Sequence, residues 1–388
     1  MNQMRQLQHG QLQISTPWGA TECFGEGSTD NLFATVDVQN TDCFRKIALH
    51  GSLGAAEGYL QGDWKSDDLV SVLRLFCRNM DQLTHMERGL ASILVAMARW
   101  LHDTRKNTLA GSQRNIAAHY DLSNEFFQLF LDPTLMYSSA LFEQPEMTLA
   151  EASVAKLDRI CRTLDLKPTD HVVEIGTGWG GWAVHAARNY GCRVTTTTIS
   201  RNQYRLACDR VETAGLSDRV NVQLLDYRHL NGEFDKLVSI EMIEAVGHDF
   251  LPTYFKKCHD LLKPGGRMLI QAITMPDHRY EVYRRSVDFI QRYIFPGGHL
   301  PSVRAMQQAT ERGTYLQLVE ALQFPDSYAL TLRHWRKAFF ERLEDVQALG
   351  FDDRFIRMWE YYLCYCEAAF LERAANVGQF VWERNRFC

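Results

Sequence analysis

The sequence predicts an α/β protein built on a parallel, doubly wound sheet, and three observations carry that prediction. From Val154 onward, short runs rich in β-branched residues alternate with stretches of helical periodicity. A glycine-rich corner, "EIGTGWGG" from Glu174, follows the first of those runs and opens into the helical pattern "WAVHAARNY". The chain has 388 residues, 46% of them hydrophobic and 23% charged, which is enough apolar material for two domains.

Taken in order, the first 70 or so residues read as a small α+β unit. "NLFATVDVQN" alternates apolar and polar positions between Gly, Asn and Asp breaks. From Asp81 to Asn107 the apolar residues Leu83, Leu90, Ile93, Leu94, Met97, Trp100 and Leu101 recur at helical spacing, with cations at the C-terminal end. Such a helix either packs on its own domain or lies on an anionic bilayer. Residues 103–114 read as a linker. This divides the chain into an N-terminal accessory, lipid-binding domain (1–112) and a catalytic domain (113–388).

Within the second part the expected elements are helix 154–165, strand 171–175, helix 180–190, strand 192–198, helix 201–214, strand 220–225, strand 235–240, helix 250–262 and strand 267–273. A helix-rich insertion over 277–320 precedes a last pair of strands near 315–335. From Val346 the chain reads as helix, with the aromatic run "MWEYYLCYCEAAF" packed in a core.

Composition narrows the function. A formal net charge of −5 argues against a nucleic-acid protein. The longest uncharged apolar stretch falls far short of the roughly 20 residues that span a bilayer. Ten cysteines show no CxxC pair or regular framework, and no charged-then-apolar leader is evident at the N-terminus. These features read as a cytoplasmic protein with no metal site.

The glycine corner suits a nucleoside-sized ligand, because glycine admits positive φ and leaves no Cβ in the way. Its spacing also satisfies the dinucleotide pattern and does not by itself exclude NAD. The second strand, however, ends in "TTTTIS", without the acid that a dinucleotide ribose would want.

Several longer motifs are more specific. "HYDLSNEFFQLFLDPTLMYSSALF" from His119, "EIGTGWGG", "TTISRNQ", "SIEMIEAVGH", "LLKPGGRMLIQAIT", "YIFPGGHLPS" and "SYALTLRHW" follow one another in order. In that order and spacing the chain resembles the cyclopropane fatty acyl phospholipid synthases and mycolic acid cyclopropane synthases from about Asn115 onward. "GSLGAAEGYLQGDWKSDDL" resembles the N-terminal domain of the phospholipid enzymes. The resemblance implies a Rossmann-like S-adenosylmethionine (SAM) methyltransferase. It would deliver a methyl group to the cis double bond of unsaturated phospholipid acyl chains and close a cyclopropane ring. The enzyme would be peripheral to the membrane and would form a homodimer.

Carried over by position, the resemblance places Tyr137, Ser138, Gly176, Gly178, Thr198, Gln203, Tyr227 and Ile240 around SAM. It implies a bound bicarbonate ion as base, held at Ser139, Glu244, Gln271, Ile273 and Tyr328. Two of these depart from the family, since serine and glutamine stand where it has cysteine and histidine. Both replacements can still donate hydrogen bonds to an anion. Glu244 is the foremost catalytic candidate, whereas Glu241 is expected to point elsewhere and to be structural. A weak alkene nucleophile generates a carbocation, so the site must be dry, and Tyr120, Phe126, Tyr137, Phe142, Trp179, Tyr280, Tyr293 and Phe295 are candidates to offer π faces. The departures put the fate of the cation in question: ring closure leads, with a methyl-branched or methylene-bearing chain as the alternative. A methyltransferase of small soluble acceptors and a non-catalytic lipid-binding protein are the competing classes.

Overall fold

The computed structural model describes residues 7–25, 32–80 and 122–387. The expected 81–107 helix, the linker and the boundary at 112 lie outside them. The described residues fall into two compact units, and neither is one continuous stretch. The first combines the N-terminal residues with Arg285–Ile294 and Leu332–Ala375; the second holds the remainder up to Arg284, with Phe295–Thr331 and the residues from Asn376 on.

The first unit carries a four-stranded sheet in the order β2-β1-β3-β4, from β1 (Gln11–Ser15), β2 (Thr21–Phe24), β3 (Phe33–Val38) and β4 (Trp64–Lys65). Helices Asp42–Gln61 and Leu69–Arg78 accompany it. Helix Asp353–Leu371 belongs to the same unit. Tyr59 donates its hydroxyl to Glu360 at 2.7 Å, and Glu372, just past that helix, accepts from both Arg74 and Arg78 at 2.6 Å. The aromatic run is indeed core, for Trp359, Tyr361, Tyr362 and Phe370 are all buried.

The second unit is a seven-stranded sheet in the order β10-β11-β9-β8-β5-β6-β7. Its strands are β5 (His171–Ile175), β6 (Arg193–Thr198), β7 (Val220–Leu224), β8 (Phe234–Ile240), β9 (Leu262–Thr274), β10 (Leu316–Gln323) and β11 (Asn376–Arg384). Both faces are buried, which explains the near-continuous apolar runs. Successive side chains enter opposite cores: Val172 packs with Trp182 and Leu157, whereas Val173 packs with Phe255 and Trp382.

The sheet departs from expectation at one side: β11 runs antiparallel to both of its neighbours, whereas every other pairing within this sheet is parallel. The last two strands are also not adjacent in sequence. Residues expected as a strand up to 335 form the helix Pro325–Glu341, and the helical C-terminus gives way to β11. β10 is a largely exposed edge, so its polar face carried little strand signal. β11 is buried between two neighbours, so it lacks the alternation that marks a half-buried strand.

The chain leaves β5 toward β6, while β8 lies on the other side of β5. The carboxyl end of β5 is therefore a topological switch point, where crevices form in open α/β sheets.

Candidate active site

The glycine corner stands at this switch point. Gly176 and Gly178 have φ of +100° and +53°, backbone that side chains rarely adopt. A Cβ at Gly178 would meet nothing within 4 Å, so open space lies beside it. Gly181 has a different reason to be glycine: a Cβ there would stand 2.5 Å from the Thr134 carbonyl oxygen. The other proposed cofactor residues gather at the same sheet edge. Thr198, which ends β6, donates its hydroxyl to Gln203 Oε1 at 2.8 Å. Tyr227 follows β7, with its ring 5.5 Å from that of Tyr254, and Ile240 ends β8.

The loop Tyr137–Ser138–Ser139 approaches from the chain segment before the sheet. Each of its three residues reaches a different partner. The Tyr137 ring lies 5.1 Å from Phe127 and 6.3 Å from Phe295. Ser138 Oγ accepts from Lys156 Nζ at 2.8 Å. The Ser139 backbone N–H donates to Glu241 Oε1 at 2.9 Å.

Glu241 is where the structure corrects the sequence reading. Its φ of +49° turns the side chain back into the cluster instead of away from it. Its Oε1 also accepts from Gln271 Nε2 at 2.8 Å, and its Oε2 accepts from the Tyr328 hydroxyl at 2.8 Å. Each partner donates, the pattern that an ionised carboxylate requires. Burial raises the Glu241 pKa, while Gln271, the Lys156 charge, Ser139 N–H and Tyr328 pull against it.

Glu244, one short turn later, is held differently. Its Oε1 accepts from the Ile273 N–H at 2.6 Å, and its Oε2 is buried without a hydrogen-bond partner. Burial, with the Glu241 charge beside it, pushes its pKa up to about 8. The structure thus brings together Ser139, Glu244, Gln271, Ile273 and Tyr328. Three of these donate to Glu241, and the Ser139 hydroxyl is spent on the Ala140 carbonyl at 2.9 Å.

The aromatic candidates divide. Phe126 and Trp179 are buried, and Phe127 lies 4.9 Å from Trp179 and 5.6 Å from Phe126. Trp179 Nε1 donates to Asn124 at 2.8 Å, and Phe142 N–H donates to Ser327 Oγ at 3.1 Å. Tyr280 is tied through its hydroxyl to His248 Nδ1 at 2.7 Å and His299 Nε2 at 2.9 Å. Tyr293 belongs to the first unit, where its hydroxyl donates to Glu57 at 2.6 Å. Tyr120 lies outside the described residues.

Sequence reasoning passed over three contributors. Lys156 is fully buried with its pKa pushed down to about 8 by that burial, yet in sequence it is one more cation on a helix. Gln379, from β11, donates to Gln271 Oε1 at 3.0 Å and accepts from Arg159 at 2.7 Å. No local motif marks either Gln379 or Arg159, because the contacts cross more than a hundred residues.

A sheet with one reversed strand, a positive-φ glycine corner at the switch point and a buried carboxylate pair beside it define a SAM-dependent methyltransferase fold and site. Comparison with known proteins narrows the class. The family model for mycolic acid cyclopropane synthetase matches residues 107–380, and the chain belongs to that family of SAM-dependent methyltransferases. It is 40% identical over 364 residues to tuberculostearic acid methyltransferase UfaA1 of Mycobacterium tuberculosis, covering 92% of this chain and 84% of that one. It is 36% identical to the cyclopropane-fatty-acyl-phospholipid synthase of Escherichia coli, covering 90% and 88%. Among solved structures, mycolic acid cyclopropane synthase CmaA1 complexed with SAH and CTAB superposes with a TM-score of 0.65 at 32% identity, covering 70% of this chain and 98% of that one. The chain is therefore an enzyme of SAM-dependent lipid modification.

Proposed function

We propose that this enzyme transfers the methyl group of SAM to the cis double bond of unsaturated fatty acyl chains of phospholipids. One observation carries the reading: three consecutive residues, Tyr137 to Ser139, join an aromatic cluster, a buried cation and a buried carboxylate pair. Those are the elements that alkene methylation needs. The alkene π pair forms the new C–C bond as the sulfonium C–S bond breaks toward sulfur. A carbocation remains, which aromatic faces stabilise and water must not reach. A buried carboxylate can then take the proton. SAM would be held by Gly176 and Gly178 with Tyr137, Ser138, Thr198, Gln203, Tyr227 and Ile240.

Loss of the proton from the delivered methyl closes a cyclopropane, which is the first product reading. A second reading, a methyl-branched or methylene-bearing chain, is favoured by two specific observations: Glu241 takes three donors of the proposed proton-accepting cluster, and a relative named for tuberculostearic acid is 40% identical. Purified protein incubated with SAM and vesicles of unsaturated phosphatidylethanolamine or phosphatidylglycerol should yield acyl chains heavier by one CH2. Proton NMR then separates cyclopropyl from methylene signals. Absence of any acyl chain gaining one carbon overturns the proposal.

Among the described residues, no helix is long and apolar enough to cross a membrane. Access to the acyl chain then calls for peripheral binding in the cytoplasm, which vesicle flotation tests. A homodimer belongs to the same proposal, and light scattering of the purified protein tests it.

A further inference from the structure

We infer that Glu241 supplies, from within the chain, the fixed negative charge that related enzymes are expected to take from bicarbonate, and that this enzyme works without that ion. The inference rests on the function proposed above and concerns the same site.

The donors reserved for an external anion are already engaged. The Ser139 N–H and the Tyr328 hydroxyl donate to Glu241. Gln271 Nε2 has two hydrogens; one goes to Glu241 Oε1 and the other to the Ser139 carbonyl at 3.1 Å. The Gln271 amide oxygen is fixed by Gln379, so the amide cannot simply turn over to offer its donors elsewhere. The Ser139 hydroxyl faces the Ala140 carbonyl, and the Ile273 N–H is taken by Glu244. What remains in the cluster is Glu244 Oε2, buried without a hydrogen-bond partner. An incoming bicarbonate would meet the Glu241 carboxylate and the Glu244 carboxyl where the family pattern calls for free donors, and in that buried setting its charge and that of Glu241 repel strongly. The ion does not fit the residues present.

The backbone points the same way. A glutamate at φ +49° sits in a region that disfavours side chains, and such strain persists where the surroundings over-determine it. Here its own N–H donates to the Gln271 carbonyl at 2.8 Å while three donors hold its carboxylate. Glycine would suit this backbone better. It would also empty a carboxylate-sized space ringed by the same three donors, which is a receptor for a small oxyanion.

That contrast supplies the test. Wild-type protein, Glu241→Gln and Glu241→Gly are assayed with SAM and unsaturated phospholipid vesicles, in carbonate-depleted buffer and with added sodium bicarbonate. Bicarbonate binding is measured separately by calorimetry, without SAM or lipid. The wild type should keep its rate without bicarbonate and show no binding of it. E241Q, a neutral isostere, should lose roughly a hundredfold in rate with no recovery, as expected for removing a preorganised charge. E241G should be slow in depleted buffer, regain activity with bicarbonate and bind it. A wild-type rate that falls on bicarbonate removal, wild-type bicarbonate binding, or full activity in E241Q would each overturn the inference. If E241G does not fold, the wild-type and E241Q arms still decide. If the wild type methylates no acyl chain, the proposed function fails, and the calorimetry still reports whether Glu241 closes the anion site.

Discussion

Lys156 directs its ammonium at Ser138 Oγ, 2.8 Å away, and both residues are buried. The pair joins the helix Leu149–Thr163 to the loop that also carries Ser139 onto Glu241. Replacing Lys156 with methionine keeps the volume and removes the charge that opposes burial of Glu241. The expected result is a loss of about 1–3 kcal/mol of stability in urea unfolding, from buried acceptors left without their donor or counter-charge. The pH profile of the remaining activity should move upward, since Glu241 would then hold a proton more tightly.

Two buried carboxyl groups make stability fall with rising pH. Burial pushes Glu174 and Glu244 each up to about 8 from an ordinary value of 4.5, so between those limits the folded state binds more protons than the unfolded state. Their contribution is complete below pH 4.5 and is lost by about pH 8. The fully buried Lys156, depressed from 10.5 to about 8, acts in a separate window and adds stability as pH rises from about 8 to 10.5. Urea unfolding at pH 6 and pH 8 should show wild-type protein losing stability across the interval and Glu244→Gln losing less.

Two glycines of one corner should respond oppositely to alanine. Gly178→Ala adds a Cβ into open space on a left-handed backbone, so folding should cost about 1–2 kcal/mol while affinity for S-adenosylhomocysteine, read by calorimetry, drops at least roughly tenfold. Gly181→Ala drives a Cβ into the Thr134 carbonyl and the Met136 side chain. Its primary defect should be a lowered thermal midpoint.

Gln379 is a support with no direct place in the carboxylate cluster. Gln379→Leu leaves Gln271 Oε1 and Arg159 without this partner. A destabilisation of about 1–2 kcal/mol is expected, together with a slower reaction and little change in S-adenosylhomocysteine affinity.

The methyltransferase half was legible because its signals are local. β5, β6 and β8 lie within a residue or so of the strands expected from apolar runs, and the glycine corner announces its own backbone requirement. The family motifs likewise brought Ser139, Glu244, Gln271, Ile273 and Tyr328 to one place, although they lie far apart in the chain.

What the sequence alone determined is therefore the order of elements from β5 to β9, the positive-φ glycine corner and the set of residues that meet around Glu241 and Glu244. The tertiary structure decided how they are used: that β11 returns antiparallel into the sheet, that Lys156 is sealed in, and that Glu241 turns back to take three donors. Periodicity and composition report whether a residue is buried, but not which partner waits there. A left-handed backbone at one glutamate and hydrogen bonds spanning 30 to 102 residues are products of the assembled fold. No window of sequence contains the forces that set them.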